Sequence, residues 1–276
     1  MEPTFAQKVF FKSAKYLSWI FPSWVAQRAE DMFLTPARVP RPESEKTWYE
    51  TARKSIKSGG IAAFEWGSTE GPLIVLIHGW SGRGTQMGAF AEPLVKRGYR
   101  VIAFDGPAHG ESEGLQTNVG EYANFLIRMQ QELGVFKAII AHSFGAGCSV
   151  FAVARGLKVE KLVLIAGPSR YDAVVGQFLK FIGLSPKAQN YFFANLAKKV
   201  GMKAQDLNVG LIGAQLKTPA MVIHDREDKE VLFNSAKEIK EAWPHVVLVE
   251  TKGLGHRRIL KDPAVIQAAV EFIDLK

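Results

Sequence analysis

The stretch KAIIAHSFGAG, residues 137–147, decides the fold. Its apolar start is typical of a buried strand, and the small and apolar residues that follow predict a helix packed close to that strand. A serine on such a sharp strand-to-helix turn is held in a tight backbone conformation with its hydroxyl exposed. The turn needs small residues two positions before and after the serine, and Ala141 and Gly145 meet this need. Ser143 is therefore a candidate nucleophile.

Strands and helices alternate on both sides of this turn. The segment ending near Lys57 is expected to pair with the next apolar run in a hairpin across Ser58-Gly59-Gly60. Continuous apolar strands that alternate with helices favour a mostly parallel sheet covered on both faces. Strands are predicted over residues 61–66, 73–77, 100–104, 137–141, 161–165, 220–223 and 246–250. Helices are predicted over residues 86–96, 118–133, 144–155, 233–242 and 263–274.

The alternation stops between residues 168 and 217, which are predicted to form an inserted helical cap. The cap is basic, a property that fits either a solvated outer face or the attraction of anionic substrates. Helical stretches are predicted around 172–182, 187–200 and 203–215. Several aromatic residues are expected either to line a site or to hold the cap on the core, namely Phe178, Phe181, Tyr191, Phe192 and Phe193.

Residues 1–44 are predicted to form a helical extension that ends in a proline-rich linker at 35–44, which leaves 45–167 and 218–276 as the core. Within the extension, residues 5–19 predict an amphipathic helix with aromatic and basic faces. We expect this helix to pack on the domain or to cover the active site. The alternative is peripheral contact with a membrane surface, which aromatic residues and lysines suit.

Composition excludes several other classes of protein. The 276 residues carry a net charge of +8, but the basic residues are spread along the chain, so we expect no nucleic-acid binding. Cys148 is the only cysteine, which excludes an intramolecular disulfide and fits a reducing, cytoplasmic compartment. No apolar run approaches the roughly 20 residues that span a bilayer, and the start of the chain does not resemble a signal peptide.

A nucleophilic serine needs a general base, which should lie late in the chain. His256 follows the last predicted strand in the stretch GLGHRR, where the preceding glycines leave it room to reach a cleft. His245 competes, but it follows Pro244 and is expected at a turn. His224 ends a strand and is expected to be a buried hydrogen-bonding residue. We therefore predict His256 as the base.

The base needs an acid to orient it, and the stretch HDREDKEV, residues 224–231, supplies two candidates. Asp225 comes directly after the strand and is expected to cap the turn. Asp228 lies deeper in the loop and is preferred as the acid. Asp172, after an earlier strand, is a more distant alternative.

Backbone amides beside the nucleophile are also predicted. The sequence His78-Gly79-Trp80 closes a strand, and the glycine lets the backbone approach a bound carbonyl group. The amides of Trp80 and Phe144 are the candidate oxyanion donors. His78 is expected to be structural, as are Asp105 and His109 in the turn-rich loop after the next strand, residues 105–112.

The order Ser143, Asp228, His256, with His78-Gly79 and the 105–112 loop upstream, resembles the α/β-hydrolase family over about residues 58–276. The resemblance implies an eight-stranded sheet with a cap inserted after the sixth strand. The chain departs from the usual pattern because Ala141 replaces a glycine and a helical extension precedes the core. A serine at the turn argues against the dehalogenases and epoxide hydrolases of the family, which use aspartate.

The predicted activity is that of a carboxylesterase-like serine hydrolase, acting on a small-molecule ester through an acyl-enzyme intermediate. This chemistry is expected to need no cofactor and no metal. Thioesterase, acyltransferase or carbon–carbon bond hydrolase activity stays an alternative, because all use the same three residues. A non-catalytic ligand-binding relative is a further alternative, and the sequence leaves the oligomeric state open.

Overall fold

The structure, a computed structural model, describes the backbone of residues 5–275 and the side chains of residues 13–275. One eight-stranded sheet, in the order β1-β2-β4-β3-β5-β6-β7-β8, forms its centre. The first two strands are antiparallel to their neighbours, and β3 to β8 run parallel. The strands are β1 Arg53–Lys57, β2 Ile61–Trp66, β3 Leu73–Ile77, β4 Arg100–Phe104, β5 Phe136–His142, β6 Val159–Ile165, β7 Ala220–Asp225 and β8 Val247–Thr251.

Helices cover both faces of the sheet, as predicted. In the core, α5, α6 and α10 pack on one face, and α4 and α12 pack on the other. The described helices are α1 Phe5–Ile20, α2 Pro22–Leu34, α3 Lys46–Thr51, α4 Ala91–Lys96, α5 Val119–Leu133, α6 Phe144–Ala154, α7 Tyr171–Ile182, α8 Pro186–Val200, α9 Val209–Gly213, α10 Asn234–Ala242, α11 Gly255–Arg258 and α12 Pro263–Asp274.

The sheet forms because its strands are apolar on both sides. Every residue of β3, LIVLI, is buried, with Leu73, Val75 and Ile77 facing one helical layer and Ile74 and Leu76 facing the other. Such two-sided burial is typical of parallel strands between helices. Their carboxyl ends meet at one edge of the sheet, where the loops after β3, β5, β7 and β8 come together.

Two predicted helices differ in extent. The one predicted over 86–96 begins as a 3₁₀ helix, Gly84–Phe90, and continues as α4. The one predicted over 203–215 is only a 3₁₀ turn, Ala204–Asp206, followed by the short α9. Asn208 separates the two pieces because its extended backbone pairs with Arg170 while its side chain caps α9.

The cap and the extension share one hydrophobic cluster. Helices α7 and α8 follow β6, as the resemblance implies, and α2 packs along α8. Buried residues of the cluster include Val25, Ala29 and Leu34 from the extension and Leu179 and Phe192 from the cap. Ala14 and Leu17, from the described end of the helix predicted over residues 5–19, belong to the same cluster, so this end of the helix packs on the domain as expected. The boundaries 1–44, 45–167 with 218–276, and 168–217 stay a prediction, and residues 1–4 and the side chains of residues 5–12 lie outside the described part.

The linker after α2 is held against the core beside the site. The Arg38 guanidinium donates hydrogen bonds to the carbonyl oxygens of Gly110, Ser112 and Gly114, at 2.6 to 2.9 Å. The amide of Ala37 also donates to the hydroxyl of Ser81, at 2.9 Å. These contacts fix the path of the extension past the carboxyl edge of the sheet.

Candidate active site

Ser143 lies on the turn between β5 and α6 with φ 51° and ψ −119°. This conformation is rare for a residue with a side chain, and it persists because the surroundings hold it. The Ser143 amide donates to the carbonyl of Ile165 at 2.8 Å, and the helix starts immediately. Gly145 must be small, since a Cβ there would lie 2.5 Å from the carbonyl oxygen of His78. The hydroxyl is thereby presented at the carboxyl edge of the sheet.

Three side chains from distant parts of the sequence form one hydrogen-bonded chain. His256 Nε2 lies 3.0 Å from Ser143 Oγ, and His256 Nδ1 lies 2.7 Å from Asp228 Oδ2. His256, the predicted base, therefore contacts both the predicted nucleophile and the predicted acid. His256 comes from α11, after β8, and Asp228 from the loop after β7.

The protonation pattern follows from the charge of Asp228. Burial would raise the pKa of this carboxyl group, but hydrogen bonds from His224, His256 and the amide of Val231 outweigh burial and hold the pKa well below its ordinary value. The carboxylate is therefore ionised and accepts a hydrogen bond from His256 Nδ1–H. In the neutral imidazole, Nε2 then carries the lone pair and faces the Ser143 hydroxyl.

The competing residues have other partners. Asp225 accepts hydrogen bonds from the amides of Glu227 and Leu254 and from the Thr251 hydroxyl, so it holds the turn and the β8 loop together. His245 is exposed in a turn. Asp172 pairs with a neighbouring arginine on the cap.

The two residues predicted to supply oxyanion amides lie beside the nucleophile. Gly79 passes so close to the turn that a Cβ on it would lie 3.0 Å from Ser143 Cβ. Trp80 follows, and its ring packs edge-on against the ring of Phe144, with centroids 5.0 Å apart. Phe144 is the first residue of α6, so its amide has no carbonyl of an earlier helical turn to bind. Both residues predicted to supply oxyanion donors thus lie next to Ser143 in the structure.

The histidines and the aspartate predicted to be structural bind neighbouring backbone. His78 Nε2 accepts from the amide of Gly106 at 2.9 Å, and its Nδ1 donates to the carbonyl of Gly79 at 2.6 Å. Asp105 accepts from the amide of Gly84 at 2.6 Å and from a second amide in its own loop, while burial raises its pKa to about 6. His109 donates to the carbonyl two residues before it.

His142 makes a contact with His256 that the sequence does not predict. Its Nε2 lies 2.9 Å from the backbone carbonyl oxygen of His256, and the two rings are 4.6 Å apart. A carbonyl only accepts, so Nε2 carries the proton, and burial lowers the pKa of His142 to about 3, which keeps the ring neutral. Its Nδ1 is buried without a partner. No sequence signal except its position beside Ser143 indicates this contact.

His224 is buried and hydrogen-bonded, as predicted, but its position beside Asp228 was not predicted. Its Nε2 donates to the carbonyl of Val231 at 2.8 Å and lies 3.5 Å from Asp228 Oδ2. Asp228 Oδ1 in turn accepts from the amides of Glu230 and Val231. Amides of its own loop and the imidazole of His224 from β7 therefore hold the Asp228 carboxylate in place, in addition to its contact with His256.

An apolar cavity of about 380 Å³ opens beside Ser143 and Phe144. The end of α2 forms part of its wall through Met32, Phe33 and Leu34, and the cap forms another part. Of the five cap aromatics named above, Phe178 lines this cavity. Phe192 is buried in the cluster between cap and extension, and Phe181 is exposed on the surface.

The α/β hydrolase fold family matches residues 72–209, which is half of the chain. This chain belongs to the α/β hydrolase fold family. A curated relative, the dihydrolipoyllysine-residue acetyltransferase component of an acetoin cleaving system from Pseudomonas putida, is 28% identical over 202 residues, covering 72% of this chain and 50% of that protein. A bifunctional esterase/perhydrolase from Acinetobacter calcoaceticus is 33% identical over 107 residues, 37% of this chain and 39% of that protein. This α/β hydrolase therefore spans half of one relative's length and less of the other's.

Solved structures show the same fold. An esterase from Pyrococcus furiosus superposes with a TM-score of 0.65 at 21% identity, covering 87% of this chain and 98% of that chain. In the described part of this α/β hydrolase, no helix has the length and apolar character needed to cross a membrane.

Proposed function

We propose that this α/β hydrolase cleaves carboxylic esters through an acyl-enzyme intermediate on Ser143. The observation that carries the proposal is the contact of His256 with Ser143 Oγ on one side and with Asp228 on the other, at 3.0 and 2.7 Å. A lone serine hydroxyl is a poor nucleophile, and this arrangement supplies both the base and its orienting acid.

In the acylation step, Ser143 Oγ attacks the ester carbonyl carbon while its proton passes to His256 Nε2. The imidazolium that forms is stabilised by the ionised Asp228, which itself stays unprotonated. The ester carbon–oxygen bond then breaks, and the proton moves from His256 to the leaving alcohol. A water molecule then attacks the acyl carbon while its proton passes to His256 Nε2. The bond to Ser143 Oγ breaks, Ser143 regains the proton from His256, and the carboxylic acid is released.

The negative charge on the carbonyl oxygen falls beside the amides of Trp80 and Phe144 in this scheme. Backbone amides are fixed before the reaction starts, so they stabilise the developing charge without reorganising. The amide end of α6 adds a favourable dipole at the same point. We assign these two amides as the oxyanion donors.

The cavity supports an apolar acyl group as the preferred substrate part, because its walls are largely aliphatic and aromatic. Each methylene buried there should stabilise the transition state by about 0.8 kcal/mol, or raise kcat/KM about fourfold. We expect kcat/KM to rise from acetyl to hexanoyl aryl esters by about two orders of magnitude and then to level off. A profile that is flat or that falls with chain length would contradict the assignment of the cavity.

The test of the reaction compares Ser143→Ala with Ser149→Ala. Ser149 lies on the same helix, and its hydroxyl donates to the carbonyl of Gly145 at 2.8 Å, so it is a matched serine without an imidazole partner. Ser143→Ala should abolish aryl-ester hydrolysis and labelling by a fluorophosphonate, while Ser149→Ala should keep both. Equal hydrolysis by wild type and Ser143→Ala would remove the proposal.

A thioester substrate is the second candidate, favoured by the charge of the cap. Residues 173–205 carry five lysines and no acidic residue, which would attract an anionic acyl donor. Acyl thioesters should then turn over faster than oxygen esters of equal chain length in low salt, with the advantage lost in high salt. Faster turnover of the oxygen esters would instead favour the ester as the substrate.

The single, buried cysteine supports a cytoplasmic location for either activity.

A further inference from the structure

Large apolar side chains are exposed together where α1 meets α2. Five such side chains each have between 50% and 70% of their surface exposed, whereas the inner faces of the same helices are buried. We call this surface the aromatic patch, which consists of Tyr16, Trp19, Ile20, Phe21 and Trp24. An exposed cluster of this kind marks an interaction surface, whereas single exposed apolar residues are ordinary.

The patch is presented by a fixed support. On the opposite faces of the same helices, Ala14, Val25 and Ala29 are fully buried against the cap. The Ser185 hydroxyl also donates to the carbonyl of Ser18 at 2.6 Å, and the Ser185 amide donates to the Ser18 hydroxyl at 2.9 Å. The helices therefore cannot turn the aromatic residues inward without breaking these contacts.

The charge around the patch is positive. Residues 13–29 include no Asp or Glu, and the same is true of residues 173–205 on the adjoining cap. The ammonium of Lys15 lies 5.9 Å from the ring of Tyr16, and the guanidinium of Arg28 lies 5.7 Å from the ring of Trp24. Lys180 is exposed at the end of α7, which contacts α1.

We propose that the aromatic patch docks on the surface of an anionic phospholipid bilayer. Tryptophan and tyrosine favour the boundary between headgroups and acyl chains, and the surrounding basic residues match the negative surface of such a membrane. A second copy of this chain fits less well, because a two-fold contact through the patch would place each Lys15 and Arg28 near its own copy.

Docking would also bring the site to its substrate. The 13 residues of α2 carry the patch at one end and the cavity wall, Met32 to Leu34, at the other. The two ends are about 20 Å apart along the helix. If the proposed ester hydrolysis holds, the substrate class is an ester with an apolar acyl chain taken from a lipid surface. This assignment of the substrate class rests on the proposed function, whereas the proposal that the patch docks on a membrane does not.

The experiment measures co-sedimentation of the full chain with vesicles of phosphatidylcholine alone and with vesicles that also contain phosphatidylglycerol. The wild type should bind the anionic vesicles, and added salt should weaken the binding. The double variant Trp19→Ser and Trp24→Ser should bind at least about tenfold more weakly, because two interfacial rings are lost. Binding involves no turnover, so its result is independent of whether the protein hydrolyses esters.

Two further variants make the result specific. The control Leu115→Ser with Leu232→Ser removes apolar residues that are equally exposed elsewhere, so it should bind as the wild type does. Lys180→Glu leaves the patch intact, and it should weaken binding to anionic vesicles only. The proposal is overturned if the wild type does not bind anionic vesicles, if the tryptophan variant binds as tightly as the wild type, or if the control is impaired equally. A dimer that dissociates in the tryptophan variant, without vesicle binding, would assign the patch to a second copy and overturn it too.

Discussion

Replacing His142 with leucine should separate activity from stability. The change removes the hydrogen bond from Nε2 to the carbonyl oxygen of His256, which is 2.9 Å long and buried. Leaving that carbonyl without its partner costs about 1–3 kcal/mol. The same change removes the Nδ1 atom of His142, which is buried without a partner and carries a similar cost in the wild type. The free energy of unfolding should therefore change by no more than about 1 kcal/mol.

The effect on activity has no such compensation. The lost bond holds the backbone of His256, whose Nε2 must stay within about 3 Å of Ser143 Oγ to accept its proton. Losing about 1.4 kcal/mol of positioning corresponds to a tenfold lower kcat, and KM should change by less than about twofold because the cavity is untouched. His142→Gln keeps an N–H donor at a comparable reach and should recover most of kcat.

Steady-state kinetics on an aryl ester and urea unfolding of the same preparations give the two quantities. The positioning role is refuted if His142→Leu keeps the wild-type kcat, or if His142→Gln is impaired as strongly as His142→Leu. A loss of several kcal/mol in the free energy of unfolding would instead show that His142 supports the fold.

Two further predictions follow from the charged and titratable groups. Asp228→Asn should lower kcat about 10⁴-fold, the scale found when the acid of such a triad is made neutral, whereas Asp225→Asn, which lacks the imidazole contact, should lower it far less; comparable losses would contradict the assignment of the acid. Burial lowers the pKa of His109 to about 4 and that of His142 to about 3, from the ordinary value of 6.5. As the pH falls below 6.5, these histidines take up protons in the unfolded chain before they do so in the folded protein, so the free energy of unfolding decreases. Asp105, with its pKa raised to about 6, offsets part of this loss as it takes up a proton, so these three groups together lower the stability by on the order of 4 kcal/mol at pH 4 relative to pH 8. Buried His78, whose pKa is also lowered, adds to the loss in the same direction. Urea unfolding at both pH values measures it, and a chain that is equally stable at pH 4 would refute the reasoning.

Much of the fold could be predicted because its signals are local. A strand such as β3 is recognisable from five consecutive apolar residues, and the strand-to-helix turn at Ser143 is recognisable from small residues at fixed spacing. Asp228 and His256 are predictable because each follows a predicted strand, and parallel strands place such loops at one edge of the sheet. The helix predicted over 203–215 was wrong in extent, because its apolar pattern does not reveal that Asn208 pairs with Arg170 and interrupts it.

The sequence by itself determined the order of the strands along the chain, the position of the turn and the types of residue that its chemistry requires. Only the tertiary structure decided that His142 binds the backbone of His256, 114 positions away, and that Phe33 from the extension shares a cavity wall with Phe178 from the cap. The physical reason is that a local pattern specifies which face of an element is apolar. The partner that covers this face depends on how all the elements pack together.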